Sequence, residues 1–159
     1  MSLKLSPQLD ADALAAFALY DAYLESHRHY FPESCIRVIE DERWYGGYDS
    51  MSPHDSKLRK LEFYSNEKGK NLRLNLEKEH MNLSIEITYE NVMKSKLGSL
   101  PSFDEIFEWR YEQFLHYDPY EDYRISETKM FRHDIEWTNG LVWSVYAENI
   151  IVEWIEVVE

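Results

Sequence analysis

Leu72-Arg73-Leu74-Asn75-Leu76 and, a few residues on, Leu83-Ser84-Ile85-Glu86-Ile87-Thr88-Tyr89 are the stretches whose reading decides the fold. Apolar and polar side chains alternate with a period of two. That is the pattern of an extended strand with one face buried and the other in water. A helix would need its apolar residues three and four positions apart, and these two runs do not supply that spacing. Leu72, Leu74, Leu76, Leu83, Ile85 and Ile87 are therefore assigned to the core.

Working outward, Leu58, Leu61 and Phe63 precede a turn at residues 66–70 that contains Gly69, so three consecutive strands form a meander. Short loops join antiparallel neighbours. Further on, Phe131, His133, Ile135 and Trp137 alternate up to Asn139-Gly140, a dipeptide suited to the positive φ angles of a type I′ hairpin turn. Leu141, Trp143 and Val145 form the return strand, and a last strand over 150–158 closes the sheet. Ile135 and Trp137 join the predicted core. Cys35 to Glu40 is short and rich in β-branched residues and reads as another strand. Ser6-Pro7 and Asp10 are helix-start signals, and Ala13, Leu14, Phe17, Tyr20 and Leu24 follow at helical spacing, which predicts a helix near 10–27 that ends before Pro32. Ser102 and Glu105 have capping-box spacing and predict a second helix near 103–115, although Phe107, Trp109 and Tyr111 alternate in the same place. The expected fold class is α+β, a mainly antiparallel sheet of six to eight strands with these helices packed on it.

The chain has 159 residues, within reach of one core, and no repeat or Pro/Gly-rich linker divides it, so a single α+β domain over 1–159 is expected. Five Trp, twelve Tyr and seven Phe provide apolar area without a disulfide, and Cys35 is the one cysteine. A reducing, cytoplasmic setting is the expectation, since Met1 to Asp10 has no basic patch followed by an apolar run, and Ala13 to Tyr20 is too short to cross a bilayer. Thirty acidic against seventeen basic residues give a net charge of -13. Such a charge repels phosphate backbones and anionic lipid and draws cationic partners. Nucleic acid and membrane are excluded as expected partners, and a basic protein is favoured.

Signatures of chemistry are few. Phosphate-cradling glycine loops, Gly-x-Ser-x-Gly and His-Glu-x-x-His are absent. His54-Asp55, His133-Asp134 and His27-Arg28-His29 could suggest metal ligands, but neighbours on a strand point to opposite faces, so His133 and Asp134 cannot share a site. No metal and no cofactor is expected, and Cys35 reads as a buried thiol. The most distinctive stretch interleaves aromatics with carboxylates between Trp109 and Tyr123. Aromatics supply rigid contact area while carboxylates steer a cationic partner. Trp109, Tyr117 and Tyr120 are the candidate anchors; Glu112, Glu121 and Asp122 are the candidate steering charges. The alternative is that these aromatics cap the open end of the sheet.

Two longer stretches carry a resemblance. One runs from Pro53-His54-Asp55-Ser56 through Leu72 to Leu76 and on to Ile85-Glu86-Ile87-Thr88-Tyr89-Glu90-Asn91-Val92; the other joins Phe131-Arg132-His133-Asp134-Ile135-Glu136-Trp137 to Asn139-Gly140 and the segment from Ile150 to Trp154. Together they resemble small bacterial β-rich families, some described as immunity proteins of polymorphic toxin systems. The resemblance implies an acidic protein that binds and blocks a toxin, and it transfers no catalytic residue. An immunity- or inhibitor-type interaction protein is thus the leading expectation, ahead of a small-ligand or subunit-type binding module. A hydrolase using carboxylate and His chemistry comes last.

Overall fold

The structure is a computed structural model that describes residues 2–45, 50–98, 107–118 and 129–157. Its centre is a six-stranded sheet, antiparallel throughout: β1 (Lys57–Asn66), β2 (Gly69–Lys78), β3 (Leu83–Lys96), β4 (Trp109–Tyr117), β5 (Met130–Trp137) and β6 (Val142–Glu156), in the spatial order β1-β2-β3-β6-β5-β4. The predicted meander is present. Leu74 pairs Leu61 on one side and Ile87 on the other, and Leu72, Leu74, Leu76, Leu83, Ile85, Ile87, Ile135 and Trp137 are all buried. The opposite face carries a cross-strand ladder, Glu62–Arg73 at 3.2 Å and Arg73–Glu86 at 3.5 Å. Alternation in sequence is thus partition between core and water.

The two segments read as separate strands after Gly140 are one strand, β6, which lies in the middle of the sheet between β3 and β5. The hairpin also turns differently from the expectation. Of the Asn139-Gly140 pair only Gly140 has positive φ, at 87°, and Gly140 N–H donates to Trp137 O at 2.9 Å. A type I′ turn needs positive φ at both central residues, so this is a longer loop that uses one left-handed glycine.

β1 and β4 stand at opposite ends of the sheet order, yet they meet. Lys57 forms a bridge with Glu108, Leu58 N–H donates to Phe107 O at 3.0 Å, and Trp109 N–H donates to Ser56 O at 2.9 Å. The sheet therefore curls until its edges touch at one corner, an incomplete barrel. Helix α1 (Ser6–His27) covers the rest of the β4 edge. The Tyr20 hydroxyl accepts from Phe114 N–H at 2.6 Å and donates to Phe114 O at 3.1 Å, while Tyr23 accepts from His116 N–H at 2.9 Å. Two tyrosines thus satisfy backbone groups that a seventh strand would otherwise take, which shields an edge prone to mispairing.

The helix starts at Ser6, earlier than the 10–27 reading, and is interrupted at Asp12, whose φ of -160° and ψ of 97° are extended. Asp12 restarts it: Oδ1 accepts Ala15 N–H at 3.1 Å, an N-cap contact. Two further readings need correction. Cys35 to Glu40 belongs to a helix, α2 (Glu33–Glu40), not a strand. Pro32 at its N-cap and the burial of Cys35 and Val38, three positions apart, outweigh the β-branched content. Of the helix predicted near 103–115, residues 103–106 lie outside the described residues and Trp109 onward is strand β4. There the aromatic alternation prevails over the capping-box spacing.

Candidate functional site

The acidic-aromatic stretch is divided by the fold. Trp109 is 2% exposed and Glu112 6%, because both turn toward the barrel interior. Tyr117, at the end of β4, is half-buried against Tyr146, ring centroids 4.6 Å apart, with the Lys94 ammonium 5.7 Å from its own ring centre. Tyr120, Glu121 and Asp122 lie outside the described residues. The structure therefore brings Trp109 and Glu112 together beneath the surface and leaves Tyr117 apart from them.

Glu112 is the hub of a buried polar chain. His133 Nε2 lies 2.9 Å from Glu112 Oε2, and His133 Nδ1 lies 2.7 Å from the Tyr89 hydroxyl. A ring that donates from Nε2 and accepts at Nδ1 satisfies both partners. Trp44 Nε1–H donates to Glu112 Oε1 at 3.2 Å, and the Lys4 ammonium stands 3.5 Å from the same oxygen. Phe114 stacks on His133 at 4.0 Å and fixes the ring plane. Burial pushes the Glu112 carboxyl pKa up, but the Lys4 charge, the His133 contact and the Trp44 hydrogen bond pull harder, so it lies below the usual glutamate range. Period two along β4 was the signal for this placement. Glu112 and Phe114 share a face, so a strand reading would have sent this carboxylate inward.

Beside this chain a cavity of about 350 Å³ opens between the start of α1, the β4 edge and the segment around Trp44. Phe17, Trp44, Tyr45, Trp109 and Tyr111 supply ring walls, and Lys4, His54, Arg110 and Glu112 supply the ionisable groups. Lys4 was not singled out in the sequence. It reaches the interior because Leu3 and Lys4 N–H both donate to Gln113 Oε1, at 2.8 and 3.0 Å, which draws the chain over the edge of β4.

The second notable surface is the outward side of α1. Leu14 is 84% exposed, Leu19 63% and Phe17 47%, with Ala15, Ala18 and Ala22 exposed among them. An ordinary surface helix has a polar outer face. This one exposes Leu14 and Ala18 there beside Asp21 and Glu25, with Phe17 and Leu19 on its two flanks; its charged residues are Asp10, Asp12, Asp21 and Glu25, with no Lys or Arg between Ser6 and His27. Asp10 lies 3.8 Å from Arg110, whereas Asp21 and Glu25 make no salt bridge among the described residues.

The remaining motifs have structural partners. His133 and Asp134 face opposite sides, with Asp134 bound by Arg132, Gln113 and Ser144. His54 Nδ1 contacts Arg110 O at 2.7 Å, while its Nε2 stands 3.6 Å from Asp55. His27 stacks between Tyr23 and His116 at 4.3 and 5.0 Å. Among the described residues no three His, Cys, Asp or Glu side chains converge on a metal position, and no helix is long and apolar enough to cross a membrane. Cys35 is fully buried, and burial raises its thiol pKa well above the ordinary value. No protein-family model matches the chain, and no curated protein matches it.

Proposed function

We propose that the protein is an interaction domain of the inhibitor or immunity kind that holds a basic protein partner, and that the outward face of α1 is its docking surface. The observation that carries this reading is the pairing of exposed Leu14, Phe17 and Leu19 with a helix whose only formal charges are negative. Burial of one such leucine is worth roughly 1.5–3 kcal/mol, which an isolated domain forgoes by leaving it in water. The partner that fits is an amphipathic segment, apolar at its centre and bordered by Lys or Arg. Leu14 and Leu19 anchor it, and Asp21 and Glu25 steer it. The small Ala15, Ala18 and Ala22 side chains allow close approach of the backbones. A second copy of this chain fits poorly, since it would set the same carboxylates against one another.

The test uses the photocrosslinker p-benzoylphenylalanine at Ala18 in the native cell, with Glu62 on the outer sheet face as the control position. A basic protein captured from Ala18 and not from Glu62 is expected. Leu14→Glu with Leu19→Glu should abolish capture and move stability by only about 0.5 kcal/mol per site, as for other exposed positions. Capture that survives this double variant, or an equal set of proteins from both positions, rules out the α1 face.

A further inference from the structure

A largely buried ammonium needs acceptors, and among the described residues Lys4 has one carboxylate oxygen beside it. Its side chain is 7% exposed, the Glu112 oxygen is at 3.5 Å, and three rings face it, Tyr20 and Tyr45 each 4.7 Å away and Phe17 5.9 Å. Ring faces stabilise a cation but accept no conventional hydrogen bond from it in place of an oxygen. The Glu112 carboxylate, in contrast, already has His133 and Trp44 as donors. Lys4 lines the 350 Å³ cavity, whose size lies within the range of small-molecule sites. The lining holds Lys4 and Arg110, with Glu112 3.5 Å from the Lys4 ammonium and Asp10 3.8 Å from Arg110.

We propose that this cavity binds a small planar carboxylate, its oxygens on the Lys4 ammonium and its ring among Trp44, Tyr45 and Trp109, with Arg110 supplying charge at the entrance. The ligand adds carboxylate acceptors for the Lys4 ammonium beside the single Glu112 oxygen at 3.5 Å. Its flat body matches walls that are themselves flat, as offset or edge-to-face ring contacts require. The cavity shares Phe17 with the flank of α1, but Leu14 and Leu19 do not line it, and its ligand does not depend on a protein partner.

Purified full-length protein is titrated with benzoate and indole-3-carboxylate, with their neutral amides and with benzylammonium, and followed by tryptophan fluorescence and by the indole N–H signals of Trp44 and Trp109 in NMR. At least one carboxylate should bind saturably and shift both indole signals. Its amide should bind about tenfold more weakly, the loss of one charge-assisted hydrogen bond. Lys4→Gln should reduce carboxylate affinity about tenfold and leave amide affinity unchanged. Because Lys4 also contacts Glu112, Arg110→Gln serves as a second variant outside the buried chain and should weaken the carboxylate by about threefold. Absence of saturable binding, equal affinity for acid and amide, or shifts confined to other tryptophans overturns the assignment. If Lys4→Gln fails to fold, the acid-to-amide ratio and Arg110→Gln decide it alone.

Discussion

Glu112 concentrates the electrostatics of the interior in one side chain. Its folded-state pKa is depressed, so its stabilising effect is full above the ordinary glutamate range and is lost as pH falls through the folded value. Below that point the carboxyl is protonated, and Lys4 loses its counter-charge. The wild-type urea midpoint should therefore lose nothing from Glu112 between neutral pH and the ordinary glutamate range, and fall as pH drops below that range. Glu112→Gln should be destabilised by about 3 kcal/mol at neutral pH, because it strands a buried ammonium. The gap between the two proteins should close as pH drops. A gap that stays constant down to the acid transition would remove the lowered carboxyl pKa as its origin. The glutamate was visible in the sequence as part of an acidic-aromatic run, but its inward direction was not, because the direction depends on whether the backbone is helical or extended.

At the scale of elements, the α1 tyrosines stand in for a missing strand. Tyr20→Phe removes one hydroxyl and two hydrogen bonds, and leaves the buried N–H and C=O of Phe114 without those partners. A loss of about 2 kcal/mol is expected, with hydrogen exchange at the Phe114 amide accelerated ahead of the amides in β2 and β3. Unchanged exchange at Phe114 would mean that the edge is shielded by something other than Tyr20. The same contacts explain which elements were legible in advance. β2, β3 and β5 announce themselves through alternation that their own side chains complete. α2 and β4 were misread because short segments with mixed periods take their form from tertiary neighbours: Val38 and Cys35 from the core they fill, Trp109 from its bridge to Ser56. The Lys4 cavity had no local signal at all. It joins residues about a hundred positions apart, and only the curled sheet makes them neighbours.

For the whole molecule, the number of buried rings sets an alkaline limit. Burial raises the pKa of the Tyr20 and Tyr89 phenols well above the ordinary value. Their contribution to stability is thus full below the ordinary tyrosine range and is lost as pH climbs above it toward the folded values. In an alkaline titration read at 295 nm, exposed tyrosines should ionise first while circular dichroism stays native. The remainder should ionise together with unfolding. Ionisation of every tyrosine in a molecule with native dichroism would contradict the burial. The cover over the β4 edge also has a temporal consequence, since a ribosome makes a chain from its amino end toward its carboxyl end. Tyr20 must wait for Phe114, and Ser6, whose N–H donates to Glu136 at 3.2 Å, must wait for β5. Helix α1 therefore emerges well before the strands that seat it. Through most of synthesis its leucines and tyrosines lie open to whatever chaperone or binding protein meets the nascent chain first.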